Sequence, residues 1–367
     1  MERRINKVQK KIHLLGLTAF LVSDIVHIRY LTGLKLTEKG DACLLITGNH
    51  HSLITDGRYQ EAARKQIKTG EVIIIKTPTE GNKAIAQLIK EQNGETGFEA
   101  EDLTVGELQK FERELSDSAV PGVVYRNFLS PTENLIEDIS SIKDQGEIKK
   151  IRKAAEITDH IFQKHILNLI KPGIKESKLT SKIRYLGEEH GAEGDAFKPI
   201  VLFGSHSSLP HGESSNRTLK IGDIIQLDFG YFYQGYCSDF SRVLILGQPT
   251  EEQKKIHKIV LDARKRAIEA VKPGMKEWKL DKVARDFIEE NGHKFIHGLG
   301  HGIGIKIHTK PHITKLMEGI LKPGQIFTVE PGIYIPGWGG MRIEDDILVT
   351  KDGYEVLTKS SKELIIL

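Results

Sequence analysis

Two acidic residues stand at corresponding places in a short motif that occurs twice in the chain. Leu-Lys-Ile-Gly at 219–222 leads to Asp228, and Leu-Lys-Pro-Gly at 321–324 leads to Glu330, which follows Asp228 by 102 positions. If each copy is a strand, its acid and its apolar residues lie on opposite faces. A strand that is buried on its apolar side therefore presents a carboxylate to a cleft.

Each copy continues to a second acid, which is Asp239 in the first copy and Glu344 in the second. The similar runs 171–176 and 272–277 precede the two copies. A repeat of about a hundred residues predicts two similar halves that face each other and bring the four carboxylates together. Clustered anions at low dielectric must become protonated or hold cations, and two divalent ions would neutralise these four.

Histidines occur in the same part of the chain as the acids. His211 precedes Asp228 by 17 positions, and a glycine-rich run contains His297 and His301 and precedes His308. The glycines on both sides of His301 remove side-chain bulk, so that the backbone can approach closely while one imidazole projects. Together with the nearby acids, this pattern favours a metal ligand at His301 over a structural histidine.

These motifs resemble the signature of the metal-dependent Xaa-Pro peptidases. That group includes Xaa-Pro dipeptidase (prolidase) and aminopeptidase P, within the wider family that also contains methionine aminopeptidase. The resemblance covers residues 140–367, and the first block, with the motifs at 29–33 and 55–59, resembles the N-terminal domain of the family. The motifs that carry it are Leu227-Asp228-Phe229-Gly230, Ser238-Asp239, Gly300-His301-Gly302-Ile303-Gly304, Val329-Glu330-Pro331-Gly332 and Arg342-Ile343-Glu344-Asp345-Asp346.

The expected architecture is of the α/β (α+β) class. The resemblance implies a C-terminal pita-bread fold with internal pseudo-twofold symmetry, which agrees with the repeat. Strands that alternate with helices predict a smaller α/β domain before it. We expect a creatinase/prolidase-like N-terminal domain at 1–128, a linker at 129–141 and the catalytic domain at 142–367. The run 55–59 is either a substrate-gating loop or, as we favour, an ordinary strand-to-helix turn.

The resemblance implies that five residues bind two divalent metal ions: Asp228, Asp239, His301, Glu330 and Glu344. One nitrogen among carboxylate oxygens suits Mn²⁺ best, and Co²⁺, Fe²⁺ or Zn²⁺ also fit. Two ions about 3.5 to 4 Å apart can share a water, lower its pKa and polarise the scissile carbonyl. The resemblance therefore implies hydrolysis of the Xaa-Pro bond by a metal-bridging hydroxide.

By resemblance, Glu330 shuttles a proton toward the leaving nitrogen, and His211 and His308 hydrogen-bond the substrate carbonyl or the tetrahedral oxygens. His297 is either a further substrate-side histidine or a support for the glycine-rich loop. Arg342 alternates onto the same face as Glu344, so it either binds a substrate carboxylate or orients a metal ligand. Cys237 lies near Asp239, but a packed small residue is favoured over a nucleophile.

The choice between an Xaa-Pro dipeptidase and an aminopeptidase P depends on loops that the sequence does not define, and we favour the dipeptidase. Methionine aminopeptidase is disfavoured because it lacks an N-terminal domain, and creatinase because it has lost the metal ligands. A peptide- or protein-binding module is disfavoured because all five ligands are present. The family usually has a glutamate after the histidine at 308, where this chain has Thr309, so substrate contacts there can differ.

Composition excludes several classes of protein. The 53 basic and 50 acidic residues nearly balance, which argues against a nucleic-acid partner. The N-terminus lacks a secretory signal, and no apolar run approaches the roughly 18 residues that a membrane span needs. The two cysteines, Cys43 and Cys237, fit a reducing compartment. We therefore expect a cytoplasmic enzyme that acts on small peptides with proline in the second position, and a homodimer by resemblance.

Overall fold

The computed structural model describes residues 2–117 and 128–367 of the chain, so residues 118–127 of the predicted first domain lie outside the described residues. The chain divides into two compact units, Met1–Ile139 and Ser140–Leu367. Within the described ranges, no helix combines the length and the apolar character that crossing a bilayer requires.

The first unit is built on a six-stranded mixed sheet with the strand order β4-β3-β2-β1-β5-β6. Its strands are β1 (Ala19–Val22), β2 (Ala42–Thr47), β3 (His51–Asp56), β4 (Glu71–Ile75), β5 (Thr96–Glu99) and β6 (Leu129–Thr132). Its helices are α1 (Glu2–Leu14), α2 (Ile25–Thr32), α3 (Gln60–Gln66), α4 (Pro78–Glu91), α5 (Val105–Asp117) and α6 (Leu135–Ser141), the last of which extends past the unit boundary.

Two stretches of this unit bear on the sequence predictions. The run 55–59 joins the end of β3 to the start of α3, which is the geometry of a strand-to-helix turn, and Arg58 there forms ion pairs with Asp41 and Asp56. The stretch predicted as a linker, 129–141, contains β6 and α6. Because β6 pairs in parallel with β5, the first residues of this stretch are part of the sheet.

The second unit contains two main sheets with the strand orders β20-β12-β9-β8 and β14-β13-β15-β18-β19, and two smaller sheets. Its helices are α7 (Gln145–Ile161), a π-helical turn (Phe162–Ile166), α8 (Leu167–Leu169), α9 (Glu176–Glu189), a 3₁₀ turn (Gly204–Ser208), α10 (Glu251–Ala270) and α11 (Glu277–Glu290). Its strands are β7 (Gly194–Asp195), β8 (Ile200–Phe203), β9 (Ile224–Asp228), β10 (Tyr231–Tyr233), β11 (Tyr236–Cys237), β12 (Ser241–Ile245), β13 (Gly300–Gly302), β14 (Thr309–Ile313), β15 (Ile326–Val329), β16 (Gly332–Ile335), β17 (Gly339–Arg342), β18 (Asp345–Val349), β19 (Tyr354–Val356) and β20 (Ile365–Ile366).

The hydrophobic core of this unit has two parts that follow the sequence repeat. In the first part, apolar residues of α7 and α9 pack against β8, β9 and β12. In the second part, α10 and α11 pack against β15 and β18. The helices begin where their sequences predict: Asp144 and Glu147 form a capping box at the start of α7, and Thr250 and Gln253 form another at the start of α10.

The two halves also repeat their backbone hydrogen bonds. An isolated antiparallel bridge joins Lys175 to Thr218 in the first half, and its counterpart joins Lys276 to Ile320 in the second. Each Lys-Pro-Gly turn bonds to the leucine that opens the later motif: Gly173 N donates to Leu219 O at 2.8 Å, and Gly274 N donates to Leu321 O at 2.9 Å. The repeat in the sequence is therefore a repeat of structure.

Candidate metal centre

A cavity of about 310 Å³ in the second unit brings together the residues singled out from the sequence. All five predicted metal ligands and all five predicted catalytic residues border it. Its lining is Phe197, Ile200, Pro210, His211, Asp228, Asp239, His297, Gly298, Gly300, His301, His308, His312, Thr314, Glu330, Arg342 and Glu344.

The first half supplies two carboxylates, one at the end of a strand and one in the short connection between two strands. Asp228 is the last residue of β9 and is paired with Ser241 on β12, whereas Asp239 lies between β11 and β12. A Cβ atom at Gly230 would overlap the Ser238 carbonyl, so only glycine lets the two segments approach this closely. The turn glycine thus helps to bring Asp239 beside the end of β9.

The second half supplies a histidine and two more carboxylates. His301 is the central residue of β13, Glu330 directly follows β15 and Glu344 directly precedes β18. A Cβ atom at Gly300 would overlap the Thr328 carbonyl, which explains why glycine precedes the histidine. Glu344 N donates to Ser241 O at 3.2 Å, and this hydrogen bond joins the two halves beside the cavity.

Asp239, His301 and Glu344 each offer a ligand atom, and these three atoms lie within 4.8 Å of one another. His301 Nε2 lies 3.6 Å from Asp239 Oδ2 and 3.3 Å from Glu330 Oε1. Its Nδ1 lies 3.3 Å from Gly302 O, where an N–H on Nδ1 can donate, so that Nε2 keeps its lone pair. Burial, with His308 nearby, lowers the pKa of His301 to about 3, so the ring is neutral. A lone pair that faces carboxylate oxygens fits a cation between them.

The acids of the cavity are buried and mutually repulsive. Burial, together with Glu344, Asp228 and Glu330, raises the pKa of Asp239 well above its usual value. The pKa of Glu344 is raised in the same way, and burial raises that of Glu330 to about 7. Asp228 Oδ1 and Glu344 Oε1 are buried without a hydrogen-bond partner in the described part of the chain. Unpartnered carboxylate oxygens beside a neutral imidazole form a donor set that fits divalent metal ions.

Among the described residues that line the cavity, Arg342 is the one arginine or lysine. Its Nη2 contacts Asp228 Oδ2, its Nε donates to Ser241 Oγ at 3.2 Å, and its Nε lies 4.0 Å from Glu330 Oε2. Ser241 Oγ in turn donates to Glu344 Oε2 at 2.9 Å. These contacts hold Arg342 against Asp228, one of the predicted metal ligands.

His297 is tied to the same network through a tyrosine. Arg342 Nη1 donates to the Tyr334 hydroxyl at 2.5 Å, and that hydroxyl lies 3.2 Å from His297 Nε2. His297 Nδ1 lies 2.8 Å from Gly298 O, which assigns the proton to Nδ1 and leaves Nε2 to accept from Tyr334. Burial is the main cause that lowers the pKa of His297 to about 4, and the positive charge of Arg342 lowers it further. A neutral His297 in this position supports the loop and also borders the cavity.

His211 and His308 are the exposed members of the set. The ring of His308 lies edge-on to that of His301 with 4.2 Å between their centroids, and His308 adopts a left-handed backbone conformation with φ of 57°. Thr309, at the position where the family usually has glutamate, begins β14. Both histidines are exposed and border the cavity.

Sequence reasoning did not assign roles to four residues that hold this site together. Asp346 Oδ2 accepts from Asp239 N at 3.2 Å, and Thr328 Oγ1 donates to Glu330 Oε1 at 3.0 Å. Ser241 and Tyr334 are the partners of Arg342 described above. Alternation along the strands could have identified Ser241, Thr328 and Asp346, since each lies two positions from a predicted ligand. Tyr334 carries no such signal because it reaches Arg342 across a hairpin.

Comparisons with known proteins agree with this site. Residues 149–351 match Metallopeptidase family M24, and residues 4–126 match the Creatinase/Prolidase N-terminal domain. An Xaa-Pro dipeptidase of Pyrococcus horikoshii is 34% identical over 369 residues, which cover 100% of this chain and 99% of that protein.

Solved structures extend the likeness to the fold. The Xaa-Pro dipeptidase from Bacillus anthracis is 36% identical with a TM-score of 0.93, and the match covers 100% of this chain and 99% of that one. The X-Pro aminopeptidase from Thermotoga maritima is 32% identical with a TM-score of 0.86, over 98% of this chain and 100% of that one. The predicted pita-bread fold with a smaller N-terminal domain and the predicted class of enzyme are confirmed, and the family implies divalent metal ions. The chain belongs to metallopeptidase family M24.

Proposed function

We propose that this metallopeptidase hydrolyses the Xaa-Pro bond of dipeptides with two divalent metal ions held by Asp228, Asp239, His301, Glu330 and Glu344. The observation that carries the proposal is the neutral imidazole of His301, whose Nε2 lies within 3.6 Å of carboxylate oxygens of Asp239 and Glu330. Since a lone pair and anions repel one another, this arrangement requires either protons or cations between them, and divalent ions supply the cations without neutralising the carboxylates.

The residues around the proposed ions divide the remaining work. When bound, a pair of divalent ions supplies Lewis-acid polarisation of the scissile carbonyl and a water of lowered pKa. Glu330, which Thr328 orients, carries a proton from the attacking water to the leaving proline nitrogen. His308 and His211 donate hydrogen bonds to the carbonyl oxygen as its negative charge develops. Arg342 holds Asp228 in position, and His297 supports the arginine through Tyr334.

The size of the cavity supports a small substrate. Its volume of about 310 Å³ lies at the lower end of the roughly 300–1,000 Å³ that is typical of ligand pockets. A dipeptide fits within this volume, and the names of the relatives from P. horikoshii and B. anthracis support it as the substrate. The second candidate is release of the N-terminal residue from longer Xaa-Pro peptides, and it is favoured by the likeness to the T. maritima aminopeptidase.

The decisive experiment compares substrates on the Mn²⁺-loaded enzyme. We expect kcat/KM for an Xaa-Pro dipeptide to exceed that for the matching Xaa-Pro-Yaa tripeptide by at least about tenfold, which corresponds to 1.4 kcal/mol of transition-state binding. Equal or faster cleavage of the tripeptide would establish the aminopeptidase instead. Glu330→Gln should abolish turnover, whereas Glu318→Gln, at an exposed ion pair with Lys276, should not. Peptide binding without any hydrolysis would indicate a binding module.

The choice of ion is also part of this proposal. One imidazole with four carboxylates suits Mn²⁺, and the test is to strip the enzyme and refill it with Mn²⁺, Co²⁺, Fe²⁺ or Zn²⁺ in turn. Mn²⁺ should restore the highest kcat/KM. An ion that restores more activity at equal occupancy would replace it.

We further propose the division into an N-terminal domain at 1–128, a linker at 129–141 and a catalytic domain at 142–367, a homodimeric assembly and a cytoplasmic location. The family resemblance supports the dimer, and the free thiols of Cys43 and Cys237 support a reducing compartment. Sedimentation equilibrium tests the dimer, and fractionation of the source cells tests the location. Limited proteolysis tests the division, because cleavage should fall at 133–134, the part of this stretch that lies between β6 and α6.

A further inference from the structure

Three histidines form a second cluster, well away in sequence from the residues of the proposed active site. His160 is near the end of α7, His165 lies in the π-helical turn, and His190 caps the end of α9. One ligand nitrogen of each ring lies within 4.8 Å of the others. The ring centroids are 5.5 Å apart for His160 and His165, 5.3 Å for His160 and His190, and 4.5 Å for His165 and His190.

The π-helical turn explains how two of these histidines come together. In an α-helix, residues five positions apart point about 140° away from each other around the axis. A π turn contains one more residue per turn, so it carries residue i+5 back toward the face of residue i. The turn at Phe162–Ile166 therefore places His165 beside His160, while the apolar residues Phe162 and Ile166 stay buried. Such turns are frequent at functional sites.

The third histidine is already oriented for binding. His190 Nδ1 lies 2.9 Å from Leu186 O in the last turn of α9, so its proton is on Nδ1 and its Nε2 is available as a ligand. The carbonyl end of a helix also favours a cation close to it.

From this geometry we propose that His160, His165 and His190 form a Zn²⁺ site that joins α7 to the end of α9. Imidazole nitrogens are borderline ligands that suit Zn²⁺, and three of them with one water complete a tetrahedral shell. Zn–N bonds of about 2.0–2.1 Å place tetrahedral ligands about 3.3 Å apart, so the nitrogens must approach by no more than about 1.5 Å. Side-chain rotation at the partly exposed rings can supply that movement.

The site would act on the first half of the catalytic unit. Both helices that it joins pack into the core part that also contains β9, the strand that ends in Asp228. A bound ion therefore stabilises the folded state by mass action and does not take part in hydrolysis. The inference does not depend on the proposed function, because it uses none of the same residues.

Zn²⁺ counting tests the proposal directly. The full-length protein is stripped with a chelator, equilibrated with buffered Zn²⁺ and analysed for zinc per chain by mass spectrometry. The wild type should bind one ion more per chain than either His160→Asn or His165→Asn. The His160 side chain is exposed, so its replacement should leave the fold intact. The control His13→Asn, at an exposed position of α1, should bind as many as the wild type. Equal zinc content in the wild type and in both cluster variants would overturn the proposal.

Co²⁺ provides a second readout that separates the two sites. A tetrahedral Co²⁺ bound to three imidazoles should show intense visible absorption, which His160→Asn and His190→Asn should abolish. The same variants should retain the wild-type kcat/KM on Mn²⁺-loaded enzyme, because they leave the proposed active site unchanged. If the proposed active site bound no metal at all, the wild type would still bind one Zn²⁺ and each cluster variant none. Absorption that survives in both variants would count against the histidine cluster.

Discussion

Arg342 Nη2 contacts Asp228 Oδ2 at the junction of the two halves, and both side chains are almost fully buried, with 4% and 9% of their surfaces exposed. The same guanidinium reaches Ser241 and Tyr334, so its planar group holds three partners at once. This set of contacts places a positive charge next to Asp228, the first of the proposed metal ligands along the chain. It also connects the end of β9 in one half to β17 in the other.

Replacing Arg342 by lysine should therefore damage the site although it preserves the charge. An ammonium group cannot reproduce the fork that binds Asp228, Ser241 and Tyr334. We expect kcat/KM to fall by roughly 10–100-fold, as for other partners of metal ligands. The matched control is Arg184→Lys, at an exposed ion pair with Asp195, which should change activity less than twofold. An active Arg342→Lys enzyme with normal metal content would contradict this role.

Metal removal should uncover the repulsion among the buried acids. In chelator, Asp239→Asn should unfold at the same temperature as the wild type or higher, because it removes one of several clustered negative charges. Added Mn²⁺ should stabilise the wild type, by about 2.7 kcal/mol at a hundred times its Kd, and the variant much less. Differential scanning calorimetry with and without Mn²⁺ measures both effects. Asp352→Asn, at an exposed position, should behave as the wild type.

The close approach of two strands at Gly300 gives a backbone prediction. A methyl group there would overlap the Thr328 carbonyl, which is part of the adjoining strand β15. Gly300→Ala should lower the free energy of unfolding by at least about 2 kcal/mol and reduce metal content, since His301 is the next residue. Gly106→Ala, in α5 with open space around the added atom, should instead be neutral or stabilising by about 0.5–1 kcal/mol. Urea titration of both variants and metal analysis of Gly300→Ala provide the test.

His257 predicts a pH dependence of stability that is separate from the metal site. His257 lies on α10, and its burial lowers its pKa from 6.5 to about 4. A hydrogen bond with the Lys362 backbone acts in the opposite direction but has the smaller effect. The unfolded chain then binds a proton more readily than the folded one, so stability is complete above pH 6.5 and decreases as the pH falls toward 4. Full protonation should cost about 3 kcal/mol.

The measurement for His257 is the difference between the wild type and His257→Gln in urea unfolding at pH 7 and pH 4. Protonation of carboxyl groups at pH 4 destabilises both proteins. The free energy of unfolding of the wild type should nevertheless fall by about 3 kcal/mol more than that of the variant. His13→Gln, at an exposed position, should follow the wild type at both values. Parallel losses in the wild type and in His257→Gln would refute the assignment.

Much of the fold was predictable because the relevant signals are local or repeated. The alternation around Asp228 and Glu330 predicted strands that end in acids, and β9 and β15 end at or just before those residues. The constant spacing between the copies predicted two similar halves. Both signals depend on the period of a strand or on an internal repeat, which can be read without knowledge of tertiary contacts.

Other features depend on contacts that a sequence does not encode locally. Apolar residues recur at helical spacing from Gln145 to about Leu169, which favours one α-helix. In the structure a π-helical turn at Phe162–Ile166 follows α7 and keeps Phe162 and Ile166 buried. The roles of Arg342 could not be separated in advance, because the choice depends on Tyr334 and Ser241, which reach it from other strands. Long-range side-chain partners were therefore the main part that remained undetermined.

The division of the proposed ligand residues between the halves has a consequence for how the enzyme loses activity. Asp228 and Asp239 come from the earlier half, whereas His301, Glu330 and Glu344 come from the later one. If these residues hold the ions as proposed, a partial opening of either half should release the ions while most of the molecule is still ordered. During gradual heating, turnover should therefore be lost at a lower temperature than the circular dichroism signal of the folded chain. Loss of activity would then report local opening of either half before global unfolding.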